Sequence, residues 1–187
     1  MRKWKALARL MLSRSWDSQV RHLGSPNFMT EVMNLSGKEV RKARAWRGSM
    51  LVKKCILVAE GSDGNYFMLQ RAFGAAKLPH MLRRVKDGAQ AMAYVMGRDQ
   101  FEDRQHFPYP DLVIAATALP KISGIEMLKY FRGELKVEIP AVILSASLSA
   151  AEMRAVLELG RAEYFVMPLS FAVLLDMVLS IQDRWLF

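Results

Sequence analysis

From Lys53 onward, short apolar runs alternate with stretches of helical period. The segments CILVAE (55–60), HMLRRV (80–85), DLVIAA (111–116), AVILSA (141–146) and EYFVM (163–167) read as five strands. Between and after them, NYFMLQRAFGAA (65–76), AQAMAYVM (89–96), GIEMLKYFRG (124–133), AAEMRAVLELG (150–160) and FAVLLDMVLSIQDRW (171–185) read as helices. Ser149 and Glu152 have the spacing of a capping box, and Gly160 suits a helix stop. The third and fourth strands are continuous apolar runs, as a sheet covered on both faces requires, so the pattern predicts an α/β fold with a doubly wound parallel sheet. The connection GRDQFEDRQHFPYP (97–110) is long, charged and proline-bearing, and is expected at the surface.

Open α/β sheets carry their chemistry at the carboxyl ends of the strands. The third strand runs into LVIAATALP (112–120) and offers there only Ala115, Ala116, Thr117 and Ala118. A well-formed strand thus arrives where chemistry is expected with almost none to supply.

Hydrophobic residues make up 52% of the 187-residue chain, enough for a packed core, and no run approaches the ~18 apolar residues of a membrane span. Arg9 and Arg14 interrupt any signal-peptide core near the start, and a cytoplasmic location is expected. The single cysteine, Cys55, excludes an internal disulfide and reads as a buried structural thiol. The net charge of +9 is unevenly spread. Residues 1–50 hold 11 Lys and Arg against 3 Asp and Glu, a net +8, whereas residues 51–187 hold 16 against 15. Overall basicity is therefore no argument that the folded part binds nucleic acid.

His22, His80 and His106 are scattered without zinc-ligand spacing. There is no GxGxxG fingerprint, phosphate-binding loop or nucleophile elbow, and AEGSDGN (59–65) lacks a phosphate-loop lysine. Glu60 and Asp63 are two carboxylates near a strand end, read as solvated loop acids in preference to a site for a metal or for a cationic group of a partner. No nucleophile–base pair is visible, so the chain is not read as an enzyme.

The order of elements, with PDLVIAATALPKISGIEML, AVILSAS and EYFVMPLSF, resembles the response-regulator receiver domain, the CheY-like module of two-component signalling. The long loop before Pro110 and the ending IQDRWLF look most like the single-domain receivers that accompany bacterial phytochromes. The resemblance spans about residues 53–187 and implies a CheY-like sheet of strand order 2-1-3-4-5, with a receiver-like domain over 50–187.

That family uses an aspartate at the end of strand three, acidic residues after strand one to hold Mg²⁺, a hydroxyl on strand four and a lysine before the strand-five proline. The resemblance puts the acceptor on Ala116, the acidic pair on Glu60 and Gly61, the hydroxyl on Ser145 and the lysine on Met167. The switch aromatic falls on Tyr164, and Met167–Pro168 falls where the family has a cis peptide. A methyl group cannot attack phosphorus, and one carboxylate is poor ligation for Mg²⁺. The resemblance therefore implies a degenerate pocket without aspartyl phosphorylation and with no cofactor. An unpaired lysine in a partly buried cleft is costly, and methionine fills the same length without charge. Ser145 and Tyr164 are either a remaining two-position switch or simply satisfied hydroxyls.

Expected partners are a sensor histidine kinase, a phytochrome-like receptor or another receiver. The apolar tail Trp185, Leu186 and Phe187 is expected either to fold back on the last helix and strand five or to join homodimer contacts at the face of helix four, strand five and helix five, where the resemblance implies that receivers meet partners and each other. Two readings of residues 1–49 stand. They form a basic amphipathic arm, with Trp4, Leu7 and Met11 on one stripe and Leu12, Trp16, Val20 and Leu23 on another, that tethers an adaptor to nucleic acid or membrane. Alternatively they extend the chain upstream of an initiator at Met50.

Overall fold

In the computed structural model, which describes residues 53–186, the apolar runs fold as strands β1 (Cys55–Ala59), β2 (Met81–Val85), β3 (Leu112–Ala116), β4 (Ala141–Ser145) and β5 (Ala162–Val166). The helices are α1 (Asp63–Ala75), α2 (Gly88–Met96), α3 (Gly124–Gly133), α4 (Ala150–Glu158) and α5 (Phe171–Trp185). Every strand pairing is parallel and the order is β2-β1-β3-β4-β5, the α/β topology that the resemblance implied.

The two-residue period of a strand sorts the sheet's side chains into two apolar layers. Leu57, Val113, Ala115, Ala141 and Ile143 face one layer with Ala91, Met127, Leu128 and Phe131, beneath α2 and α3. Ile56, Val58, Ile114, Val142 and Leu144 face the other with Leu69, Leu174 and Ile181, beneath α1 and α5. Most of these side chains are fully buried, and each of those larger than alanine contributes roughly 1.5–3 kcal/mol relative to exposure.

Local signals set the helix ends. Ser62 caps α1 by accepting the Asn65 N–H, so the helix begins at Asp63, two residues before the sequence pattern places it. Ser149 accepts the Glu152 N–H at 3.3 Å, which is the expected half of its capping box. The other half is absent, because the Glu152 side chain turns elsewhere. A complete box stands instead at Ser123 and Glu126 on α3. Gly160 stops the α4 segment with φ +68, a conformation that suits glycine.

Most of residues 97–110 lie at the surface as expected, with two aromatic exceptions. Phe101 is 5% exposed and Phe107 is half-buried, and both rings pack on Tyr94 of α2 with centroids 5.0 and 6.0 Å away. Arg104 donates to the carbonyls of Tyr94 and Val95 at 2.8 and 2.9 Å, satisfying the open end of α2. Charged residues line the loop, but two phenylalanines anchor it.

Trp185 donates its indole N–H to Glu163 at 3.0 Å, and Leu186 is 5% exposed against the α1–α5 layer, so this part of the tail folds back on the domain. Among the described residues no helix is long and apolar enough to cross a membrane. The expectations for residues 1–49, and for Phe187, lie outside the described residues.

Candidate functional site

The register of the sheet brings the singled-out residues to one edge. Ala59 pairs with Ala115, Ala116 with Leu144, and Ser145 with Val166, so Glu60, Ala116, Thr117, Ser145 and Met167 all arrive at the carboxyl ends of neighbouring strands. Gly61 follows Glu60 beside Lys86 and Pro120; a β-carbon there would lie 3.3 Å from the Lys86 carbonyl oxygen and 3.5 Å from Pro120 Cδ. The centre of this edge is the half-buried methyl of Ala116.

The carboxylates near that methyl are turned to other partners. Glu60 is 5% exposed, so it is not the solvated loop acid that the sequence suggested. One of its oxygens accepts the Ser62 N–H at 2.8 Å and the other accepts the Asn65 side-chain amide at 3.3 Å. Asp63 is exposed and pairs with Arg84 at 2.6 Å and Lys86 at 3.2 Å. Those two cations, Arg84 foremost, hold its carboxyl below the usual carboxylate range. Arg84 also donates to the carbonyls of Glu60 and Gly61, at 3.0 and 3.1 Å, and so ties the loop after β1 to β2. At the neighbouring loop, Lys121 pairs with Asp87 at 2.8 Å. Burial alone would raise the Asp87 carboxyl, but Lys121 and the Gln90 N–H outweigh it and the net shift is downward. Glu60 and Asp63 therefore do not converge, and no group of three or more His, Cys, Asp or Glu side chains suited to a metal ion occurs among the described residues.

A chain of hydroxyls occupies the β4–β5 side of the edge. Thr117 Oγ1 donates to Ser145 Oγ at 3.3 Å, and Ser145 Oγ donates to Glu152 Oε2 at 3.4 Å. The Tyr164 hydroxyl lies 2.8 Å from both Glu152 Oε2 and the Ser147 carbonyl oxygen. Met167 is half-buried, packs against the apolar layer that holds Leu144 and Leu174, and donates its N–H to the Ser145 carbonyl at 2.8 Å.

The cis peptide expected at Met167–Pro168 is corrected: the bond is trans, as are all those described. Trans is the lower-energy isomer of such a bond by about 0.5–1 kcal/mol. With Met167 held by the ladder on one side and by apolar packing on the other, nothing in this loop demands the alternative.

Sequence reasoning singled out Ser145, Tyr164, Glu60, Gly61, Ala116 and Met167, and it noticed Glu152 only as a helix cap. The contacts of Thr117, Asn65 and Arg84 were missed. Thr117 had a signal, since it follows Ala116 directly at a strand end; Arg84 lies in a half-buried strand whose pattern carries no hint of loop contacts.

Beyond this edge, α4, β5 and α5 frame an open groove of about 500 Å³ whose lining includes Met153, Leu157, Tyr164, Phe165, Arg184 and Trp185. Leu157 is 55% exposed and Met153 37%, so α4 presents apolar side chains to solvent here. Glu163 is buried beneath and pairs with Arg184.

No family model matches the chain. Individual relatives do. Response regulator Rcp1 of Synechocystis is 28% identical over 134 residues, which are 71% of this chain and 89% of the relative. A crystal structure of a response regulator in red light signaling of R. palustris is 30% identical, with TM-score 0.65, over 71% of this chain and 93% of that one. The phosphorylated cyanobacterial phytochrome response regulator RcpA is 26% identical, with TM-score 0.64, over 72% of this chain and 95% of that one. With this strand order, these strand-end positions and this degree of identity, the chain belongs to the response-regulator receivers of two-component signalling.

Proposed function

We propose that this chain is a pseudo-receiver, which takes part in two-component signalling by docking and does not accept a phosphoryl group on the central strand. The observation that carries the reading is the methyl of Ala116 at the tip of β3, on a sheet edge where Gly61 follows β1 and the uncharged Met167 follows β5. An acyl phosphate forms when a carboxylate oxygen attacks phosphorus and the donor's leaving group departs, and no carboxylate projects from residue 116. Mg²⁺ fares no better. Of the positions the family uses for the cation, only Glu60 keeps a carboxylate, and both its oxygens already accept hydrogen bonds from Ser62 and Asn65.

Docking then rests on surface shape. The groove between α4 and α5, with Met153 and Leu157 on one wall and Trp185 on the other, offers the partly apolar, partly charged surface that protein partners use. A second copy of the chain is its first expected occupant, and a sensor kinase or a phytochrome-like receptor is the alternative. Sedimentation of the full chain tests this: wild type is expected to sediment as a dimer, and a Met153→Glu, Leu157→Glu double variant as a monomer. If wild type and variant are both monomeric, the groove is left to a kinase or receptor, and dimer formation unaltered in the variant excludes the groove as the interface.

A further inference from the structure

Glu152 has left its own helix cap. The capping geometry that would return its carboxylate to the backbone N–H of Ser149 is half complete, yet the side chain reaches to β4 and β5 instead. There Oε2 accepts from Ser145 on β4 and from Tyr164 on β5. One oxygen of one α4 residue thus gathers the hydroxyls of two adjacent strands.

The proton count shows how these contacts are shared, the two to the Tyr164 hydroxyl being the short ones at 2.8 Å. Thr117, Ser145 and Tyr164 bring three hydroxyl protons, and the hydroxyl contacts among them, Glu152 Oε2 and Ser147 O number four. A phenol has a single proton, so Ser147 and Glu152 share the one from Tyr164. The same ring lines the groove between α4 and α5 and, itself partly buried, packs against the buried cluster that holds Ile143 of β4 and Val156 of α4.

We infer that Glu152 is a built-in clamp: its carboxylate holds Tyr164, Ser145 and the loop between β4 and α4 in one arrangement, and thereby sets one wall of the groove from inside the molecule. Its role rests on the proposed absence of phosphoryl transfer, because a face set by a resident carboxylate needs no phosphoryl group to set it. Glu152 is a positioning residue, and its ligands are residues of the same chain.

The test uses the full chain labelled with 3-fluorotyrosine, with the Tyr164 resonance assigned by Tyr164→Phe, beside amide exchange of residues 146–149. No phosphodonor is present. Wild type is expected to show one sharp Tyr164 resonance. Glu152→Ala is expected to shift and broaden it and to speed exchange in the loop by about tenfold, the scale of one lost hydrogen bond to a charged group. Glu152→Gln, which keeps an acceptor oxygen, is expected to restore a single resonance and most of the protection. A simple loss of helix stability would instead speed exchange along α4 and leave the Tyr164 resonance in place, which would overturn the clamp, as would no change in either readout. Phosphorylation of the wild-type chain in a separate experiment would defeat the pseudo-receiver reading and leave these resonances to decide the clamp.

Discussion

Gly124 stands directly on the peptide of Ala116: a β-carbon at residue 124 would lie 2.3 Å from the Ala116 carbonyl oxygen and 3.1 Å from its carbonyl carbon. Neither atom is the end of a flexible side chain, so the start of α3 and the tip of β3 are locked together by backbone contact. The absence of a side chain at 124 is what lets the helix close over the central strand. Gly124→Ala is expected to lower stability by roughly 1–3 kcal/mol, the range for overpacking a tight site. Urea denaturation checks this, and an unchanged midpoint would show that the contact relaxes freely.

His80 gives the domain an acid-sensitive joint. Its Nδ1 lies 3.2 Å from the Lys54 N–H, which can only donate, so Nδ1 is the acceptor and Nε2 carries the proton toward Gln182 Oε1 at 2.5 Å. Burial pushes the imidazole below its ordinary value of 6.5, and Lys54 adds to that, while Gln182 and Asp111 oppose it. Because the folded pKa is depressed, the unfolded chain takes up the proton first as the pH falls. The contribution of His80 is therefore complete above about pH 6.5 and is lost as the pH falls through the folded value. The stability of wild type is expected to decline more steeply than that of His80→Gln between about pH 7 and 5. Parallel slopes in urea midpoints would contradict the assignment.

Phe101 is the buried anchor of a loop that otherwise carries charges, with its ring 5.0 Å from Tyr94 and 5.2 Å from Phe107. Phe101→Ala is expected to cost about 3–4 kcal/mol, as for other large-to-small changes at buried aromatic positions. Thermal unfolding reads this directly. A loss below about 1 kcal/mol would mean that the loop is dispensable to the core.

Restoring one charge at a time separates chemistry from scaffold. Ala116→Asp puts a carboxylate on the strand next to the one that leads into buried Glu60, across a spacing of about 4.8 Å between strands, with Met167 supplying no cation. The variant is expected to lose roughly 1–3 kcal/mol near neutral pH and to regain part of it when Met167→Lys or Mg²⁺ is added. Chemical denaturation with and without the cation checks both halves. Equal stability of Ala116→Asp and wild type would mean that the edge is too well solvated for the missing charges to matter.

The sheet was legible because its physics is periodic. Continuous apolar runs such as LVIAA and AVILS have one stable home, a strand buried on both faces, and both lie where the sequence places them. Ser149 and Gly160 declared the ends of the α4 segment by chemistry that is local to a few residues. What stayed hidden depends on partners distant in sequence. The spacing of Ser149 and Glu152 is that of a capping box, but no local rule says that the carboxylate will prefer two hydroxyls from other strands. Phe101 and Phe107 sit among charges that suggest solvent, and only the position of Tyr94 makes a pocket for them. At Met167–Pro168 the family resemblance favoured an isomer that the surrounding packing does not impose.

The most direct test of the pseudo-receiver reading is the intact mass of the full chain after incubation with acetyl phosphate and Mg²⁺, beside the triple variant Gly61→Asp, Ala116→Asp, Met167→Lys. The wild type is expected to keep an unmodified mass, and the variant to gain a phosphoryl adduct labile to hydroxylamine. A hydroxylamine-labile adduct on the wild-type chain, on Glu60, Asp63 or any other carboxylate, would contradict the reading.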